Sequence, residues 1–179
     1  VAKLAYALSR WLNGKYTNAG VVIGFDCRFG GEMFMEAVAK ILASRNIRVF
    51  ICESFVSSPM VSLAVLKLKC SCGVMITASH NAAEYNGIKI KSNEGGPMLD
   101  KDIKDIENLI TSEYEFDLEM LNWNYLVEQG LIQYVNLESI YLKNITDHFD
   151  IEALQKSGLR FGFDAMYGGA QQVFRKLMP

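Results

Sequence analysis

The sequence predicts an α/β fold: a mixed, mostly parallel sheet flanked by helices on both faces. Three observations carry that prediction. Apolar strand-like runs and amphipathic helix-like runs alternate three times, at a period of about 26 residues, and such alternation builds right-handed crossovers on a parallel sheet. The runs at 21–25, 47–52 and 73–77 are almost continuously apolar, as strands buried on both faces are. A fourth run, 87–91, alternates apolar and basic residues after a shorter connection, which suits a half-exposed strand pairing antiparallel at an edge.

The first element is a helix over 2–13, because Leu4, Ala5, Leu8, Trp11 and Leu12 recur at helical spacing and Asn13-Gly14 supplies a stop. Gly30-Gly31 opens a second helix over 32–45, with Phe34, Val38, Ile41 and Leu42 on one face. Pro59 suits the first turn of a helix over 60–69, where proline's missing donor costs nothing. Gly95-Gly96-Pro97 is a turn, and 100–110 is a helix with Asp102 and Asp105 near its positive end. Residues 118–129 and 137–149 read as helices, and 130–135 as a short strand or an extended connection. Beyond a break at Lys156-Ser157-Gly158 the pattern restarts, with a strand at 159–164, Gly168-Gly169, and a helix over 170–178. The expected organisation is a first domain over 1–155 and the truncated first βα unit of a second over 156–179.

Composition narrows the function classes. The chain of 179 residues is 50% hydrophobic and 21% charged, which excludes intrinsic disorder and suffices for a core. Its net charge of −2, from 18 basic and 20 acidic residues, leaves no basic excess for a phosphate backbone, so no nucleic-acid partner is expected. No apolar run approaches the ~18 residues of a membrane span, and no signal-peptide core opens the chain, so neither a membrane nor secretion is expected. The cysteines Cys27, Cys52, Cys70 and Cys72 include no Cys-x-x-Cys pair, which disfavours a zinc site, and free thiols fit a cytoplasmic location.

Three constellations can carry chemistry. Thr77-Ala78-Ser79-His80-Asn81 follows the third buried strand, where open α/β sheets bind ligands, so Ser79 and His80 are candidates for nucleophile and proton handler. The alternative is that Asn81 caps a turn with Glu84. Arg28, in Asp26-Cys27-Arg28 after the first strand, can fork a phosphate or carboxylate, or else form an ion pair at the sheet rim. Lys89 and Lys91 share a strand face, and a strand returning past the Ser79 loop would point one of them at it. No Gly-x-Gly-x-x-Gly and no P-loop is present.

The run Thr77-Ala78-Ser79-His80-Asn81, followed by Glu84-Tyr85-Asn86-Gly87-Ile88-Lys89, resembles the signature of the α-D-phosphohexomutases, the phosphoglucomutase/phosphomannomutase superfamily. Gly24-Phe25-Asp26-Cys27-Arg28 resembles the family's Gly-x-Asp-x-Arg stretch, Ser57-Ser58-Pro59 its Thr-Pro segment, and residues 163–169 the opening of its second domain. The resemblance implies reversible phosphoryl transfer between C1 and C6 of a hexose phosphate, glucose or mannose 1- or 6-phosphate, through a hexose 1,6-bisphosphate. Ser79 would carry the phosphoryl group, with His80 and Lys89 contacting phosphate or handling protons. Arg28 and Asn81 would support the substrate or its phosphate, Arg28 as a charge near the loop. Mg2+ would sit on the phosphoryl oxygen of Ser79, as hard oxygen ligands favour.

The chain departs from the family pattern in four respects. Ala82 stands where the family usually has proline. The N-terminal Gly-Thr-x-Gly-x-Arg segment is absent before Val1, and the Asp-x-Asp-x-Asp metal loop and the sugar-reading segments would lie beyond Pro179. The one Asp-x-Asp pair, Asp100 and Asp102, opens a helix and lacks a third carboxylate. The chain by itself is therefore expected to have little or no mutase activity. A Ser/His hydrolase is the enzymatic rival, disfavoured by the lack of Gly-x-Ser-x-Gly and by the adjacency of Ser79 and His80. A catalytically silent sugar-phosphate-binding domain is the non-enzymatic rival, and phosphoglucosamine mutase is the nearest variant within the family.

Overall fold

The computed structural model of the chain describes residues 1–112 and 117–178. In order these form α1 (Ala2–Lys15), β1 (Gly20–Phe25), α2 (Gly31–Ser44), β2 (Arg48–Ile51), α3 (Ser58–Lys67), β3 (Cys72–Ile76), β4 (Ile88–Lys91), α4 (Asp100–Asn108), α5 (Trp123–Glu128), β5 (Ile132–Tyr134), α6 (Leu137–His148), α7 (Ile151–Lys156) and α8 (Gln171–Leu177). The five strands make one sheet in the order β4-β3-β1-β2-β5. All neighbours are parallel except β3 and β4, so the fourth strand is the antiparallel edge that its alternation predicts. The ambiguous segment at 130–135 resolves as β5, the opposite edge, parallel to β2.

β1 and β3 are buried at every position, which explains their unbroken apolar sequences. One core lies between the sheet and α1, α2, α4 and α5, built on Leu8, Leu12, Ile23, Ile41, Leu42, Ile76 and Ile106. The second lies on the other face under α3, α6 and α8, built on Val22, Val61, Val65, Met75 and Leu137. Helix α3 is seated on two glycines. A Cβ on Gly24 would lie 2.5 Å from Val61 Cγ2, and one on Gly73 would lie 2.7 Å from Val65 Cγ2.

The connections set the location of the site. From β1 the chain passes through α2 on one face to β2, and from β2 through α3 on the other face to β3, which lies on the far side of β1. The strand order therefore reverses between β1 and β3. Loops that leave a sheet in opposite directions open a crevice at its carboxyl edge.

Two local expectations are corrected. The helix expected at 118–129 is confined to Trp123–Glu128, because the Asn122 side chain accepts the Tyr125 N–H and sets the start there, after a turn closed by Met120 N–H to the Asp117 carbonyl. Residues 159–164 form no strand. No strand of the described residues lies beside them to complete a ladder, and Phe161 and Phe163 instead pack on the Phe174 ring, at 6.2 and 4.6 Å between centroids. A short helix, α7, fills the stretch between the helix expected at 137–149 and the break at 156–158, and the Asp150 carboxylate caps it by accepting the Ala153 N–H.

Candidate functional site

Because β1 and β3 are adjacent, parallel and in register at Phe25 and Ile76, the first residues beyond them, Asp26 and Thr77, emerge side by side. The Asp26 N–H donates to the Ile76 carbonyl at 3.1 Å, which extends the ladder one step past the strands. The Thr77 hydroxyl then donates to Asp26 Oδ2 at 2.5 Å and accepts the Ser79 N–H at 3.0 Å. A carboxylate acceptor makes the first of these a strong bond. On the other side of the loop, the Thr77 N–H donates to the Gly87 carbonyl at 2.9 Å, so the segment from Thr77 to Gly87 is closed at its base before β4 begins.

Ser79 is exposed at the tip of that loop with φ of +58°, a left-handed conformation that costs a residue with a side chain roughly 1–2 kcal/mol. Such strain persists where neighbouring interactions over-determine it, and here they do. The Arg28 guanidinium donates through Nη2 to the carbonyls of Ser79 (3.1 Å) and Asn81 (2.6 Å). Through Nη1 it donates to those of Ala82 (2.6 Å) and Tyr85 (3.0 Å). Its Nε lies 3.5 Å from Asp26 Oδ2, while Asp26 Oδ1 accepts the Arg28 N–H at 3.1 Å. The Asn86 side chain ties the far limb of the loop to the Phe29 carbonyl at 3.2 Å.

The other candidates fall out as follows. His80 is exposed and takes no hydrogen-bond partner among the described residues. Asn81 closes a turn, its N–H donating to the Ala78 carbonyl at 3.1 Å, and the turn that follows, containing Glu84, is closed by the Tyr85 N–H donating to the Ala82 carbonyl at 3.1 Å. β4 does return antiparallel from the loop. Lys89 stands opposite Met75, exposed and on the α3 side of the sheet, with no ion-pair partner among the described residues. Asp100 and Asp102 lie in the first turn of α4, where Lys15 Nζ pairs with Asp102 at 2.9 Å. Among the described residues no three His, Cys, Asp or Glu side chains gather as a metal site.

Two depressions lie along the crevice. One of about 400 Å³ is lined by Asp26, Cys27, Arg28, Phe29 and Phe55. The other, about 310 Å³, is lined by Phe29, Met33, Phe34 and Ile88, with Glu84 and Asn86 also on its wall. Cys27 is exposed, and partial burial together with the Asp26 charge raises its thiol pKa above the ordinary value. Sequence reasoning missed the Asp26–Thr77 bond and the carbonyl contacts of Arg28. The available signal was positional, since each residue lies just past a buried parallel strand.

The model of the family phosphoglucomutase/phosphomannomutase, alpha/beta/alpha domain I, matches residues 1–117. A phosphoglucomutase of Staphylococcus saprophyticus is 39% identical over 139 residues, covering 77% of this chain and 25% of that protein. One from Staphylococcus aureus (strain MRSA252) is 29% identical over 183 residues, covering 99% of this chain and 32% of that protein. Among solved structures, a putative phosphomannomutase from Thermus thermophilus superposes with a TM-score of 0.74 at 33% identity, over 86% of this chain and 32% of that one. Parafusin from Paramecium superposes with a TM-score of 0.79 over 97% of this chain and 36% of that one; at 19% identity it shows the shared fold alone. The chain spans a quarter to a third of the length of the curated relatives it matches. With the serine loop at the strand-order reversal and the family's first domain matched over residues 1–117, this chain belongs to the phosphoglucomutase/phosphomannomutase family.

Proposed function

We propose that the protein carrying this chain is a phosphohexomutase that moves a phosphoryl group reversibly between C1 and C6 of a glucose or mannose phosphate, with Ser79 as the phosphoryl carrier. The observation that carries the reading is Ser79 itself, exposed and held at φ +58° at the strand-order reversal. The phosphoserine P–O bond breaks as a P–O bond forms to the free sugar hydroxyl, whose proton must leave. The resulting hexose 1,6-bisphosphate turns over in the site and returns its other phosphoryl group to Ser79. Such transfer depends on positioning and charge neutralisation more than on covalent assistance, and the rigid loop supplies position. His80, beside Ser79 and free of other partners among the described residues, and Lys89, at the start of β4, are the residues we assign to phosphate contact and proton handling.

For Mg2+ the described residues offer one ligand, the phosphoryl oxygen on Ser79, and no carboxylate cluster beside it. The bound ion would neutralise phosphate charge, and its remaining ligands must come from outside these residues. By themselves residues 1–179 would then have little or no mutase activity. We assign 1–155 to the first domain and 156–179 to the opening of a second, the break marked by Gly158 at φ +73°. Free thiols at all four cysteines support a cytoplasmic, reducing compartment.

The test is phosphoryl acceptance. The full-length protein is incubated with glucose 1,6-bisphosphate and examined by intact mass. One added phosphoryl group, mapped to Ser79 and lost in Ser79→Ala together with turnover of glucose 1-phosphate, is the expected result. Turnover surviving in Ser79→Ala would remove Ser79 from the role, and a parent that accepts no phosphoryl group would instead point to the catalytically silent binding domain.

A further inference from the structure

We propose that Arg28 is a positioning residue that sets the geometry of the Ser79 loop and is not itself a phosphate ligand, an assignment that rests on Ser79 being the phosphoryl carrier. A guanidinium has five N–H donors in a fixed planar fork. Four are committed to the carbonyls of Ser79, Asn81, Ala82 and Tyr85, and the fifth faces Asp26 at 3.5 Å. No donor remains to fork a phosphate. The side chain is only 14% exposed, which seats the charge behind the loop.

The acceptors span residues 79–85, so one side chain cross-links the whole loop. Drawing these four carbonyl oxygens toward a single cation fixes the left-handed turn at Ser79 and keeps their partial negative charges paired. Arg28 is aimed in turn by Asp26, whose other contact is the Thr77 hydroxyl that caps the Ser79 N–H. Thr77, Asp26 and Arg28 thus form one chain of contacts that begins and ends on Ser79. Lysine cannot replace Arg28 here, because a compact ammonium with three donors cannot reach four carbonyls arranged around a plane.

The test uses the full-length protein with glucose 1-phosphate as substrate, comparing Arg28→Lys, Arg28→Ala and Asp26→Asn with the parent. A loop misplaced by about 1 Å costs on the order of 10²-fold in rate. Arg28→Lys should therefore lose kcat by about that factor, with KM shifting less than about threefold, and Asp26→Asn should fall between it and the parent. Added guanidinium chloride at low millimolar concentration should restore part of the kcat of Arg28→Ala, whereas ammonium should not. Hydrogen exchange, which needs no activity, should speed up in peptides covering residues 79–86 of each variant while the strands stay protected. A raised KM at unchanged kcat, or wild-type kcat with lysine, would overturn the assignment. Unchanged exchange in the loop would also overturn it, whether or not Ser79 proves to be the carrier. If an Arg28 variant fails to fold, the exchange pattern of Asp26→Asn decides.

Discussion

Replacing Gly24 with alanine tests whether α3 is seated where the two-glycine contact requires. The added Cβ would lie 2.5 Å from Val61 Cγ2 and 2.6 Å from Val56 Cγ2. Carbon atoms pack at about 3.5–4.0 Å, so each contact overlaps by about 1 Å or more. Neither valine can retreat freely, since both are fully buried against the sheet. Overpacking of this kind costs about 1–3 kcal/mol, and two simultaneous overlaps place it near the upper end. Alanine stiffens the unfolded chain and returns about 0.4–1 kcal/mol, leaving a net loss of about 2 kcal/mol. With a urea m-value of about 2 kcal/mol/M the midpoint should fall by about 1 M, followed by the fluorescence of buried Trp11. Gly14→Ala is the control. It lies in α1 with nothing within 4 Å of an added Cβ, and should stabilise by up to about 1 kcal/mol. A midpoint for Gly24→Ala at or above that of the parent would refute the reasoning. So would the absence of coupling between Gly24→Ala and Val61→Ala in a double-mutant cycle.

Two further outcomes are expected. Ser79→Gly should remove the hydroxyl yet raise stability by about 1 kcal/mol, because glycine adopts φ +58° without a Cβ penalty; an unchanged thermal midpoint would show that no strain is held there. Burial pushes the Cys70 thiol from 9.0 up to about 11, with Arg48 opposing weakly. A pKa raised on folding stabilises fully below the unfolded value and loses that contribution as pH climbs through the folded one. Stability should therefore decline between about pH 9 and 11, and Cys70→Ala should flatten the decline in urea titrations run at each pH.

Much of the fold was legible because burial on both faces leaves a local mark. Val21-Val22-Ile23 and Gly73-Val74-Met75-Ile76 carry no polar residue, so their assignment to central strands needed no knowledge of their neighbours. The alternation of Ile88-Lys89-Ile90-Lys91 marked an edge for the same reason. Residues 159–164 show the limit of such reasoning. Their pattern is strand-like, but a strand exists only where a partner takes its backbone groups, and no local signal reports the partner. The helix at 118–129 erred in the same direction, since apolar spacing outvoted the capping side chain of Asn122.

At the site, the sequence by itself determined which chemistry-bearing groups exist: a serine, a histidine and a lysine in an unusual order after a buried strand, with an aspartate and an arginine after another. Their roles depended on which strands are neighbours. Asp26 and Thr77 are 51 residues apart in the chain and meet because β1 and β3 share a ladder in register. Arg28, read from sequence as a fork for an anion or a rim ion pair, directs its donors to the carbonyls of the serine loop, 51 to 57 residues away. Hydrogen bonds depend on distances in space, and the pairing of parallel strands through crossovers sets those distances. Only the tertiary structure could therefore decide that the serine is held at φ +58° and that the arginine is what holds it.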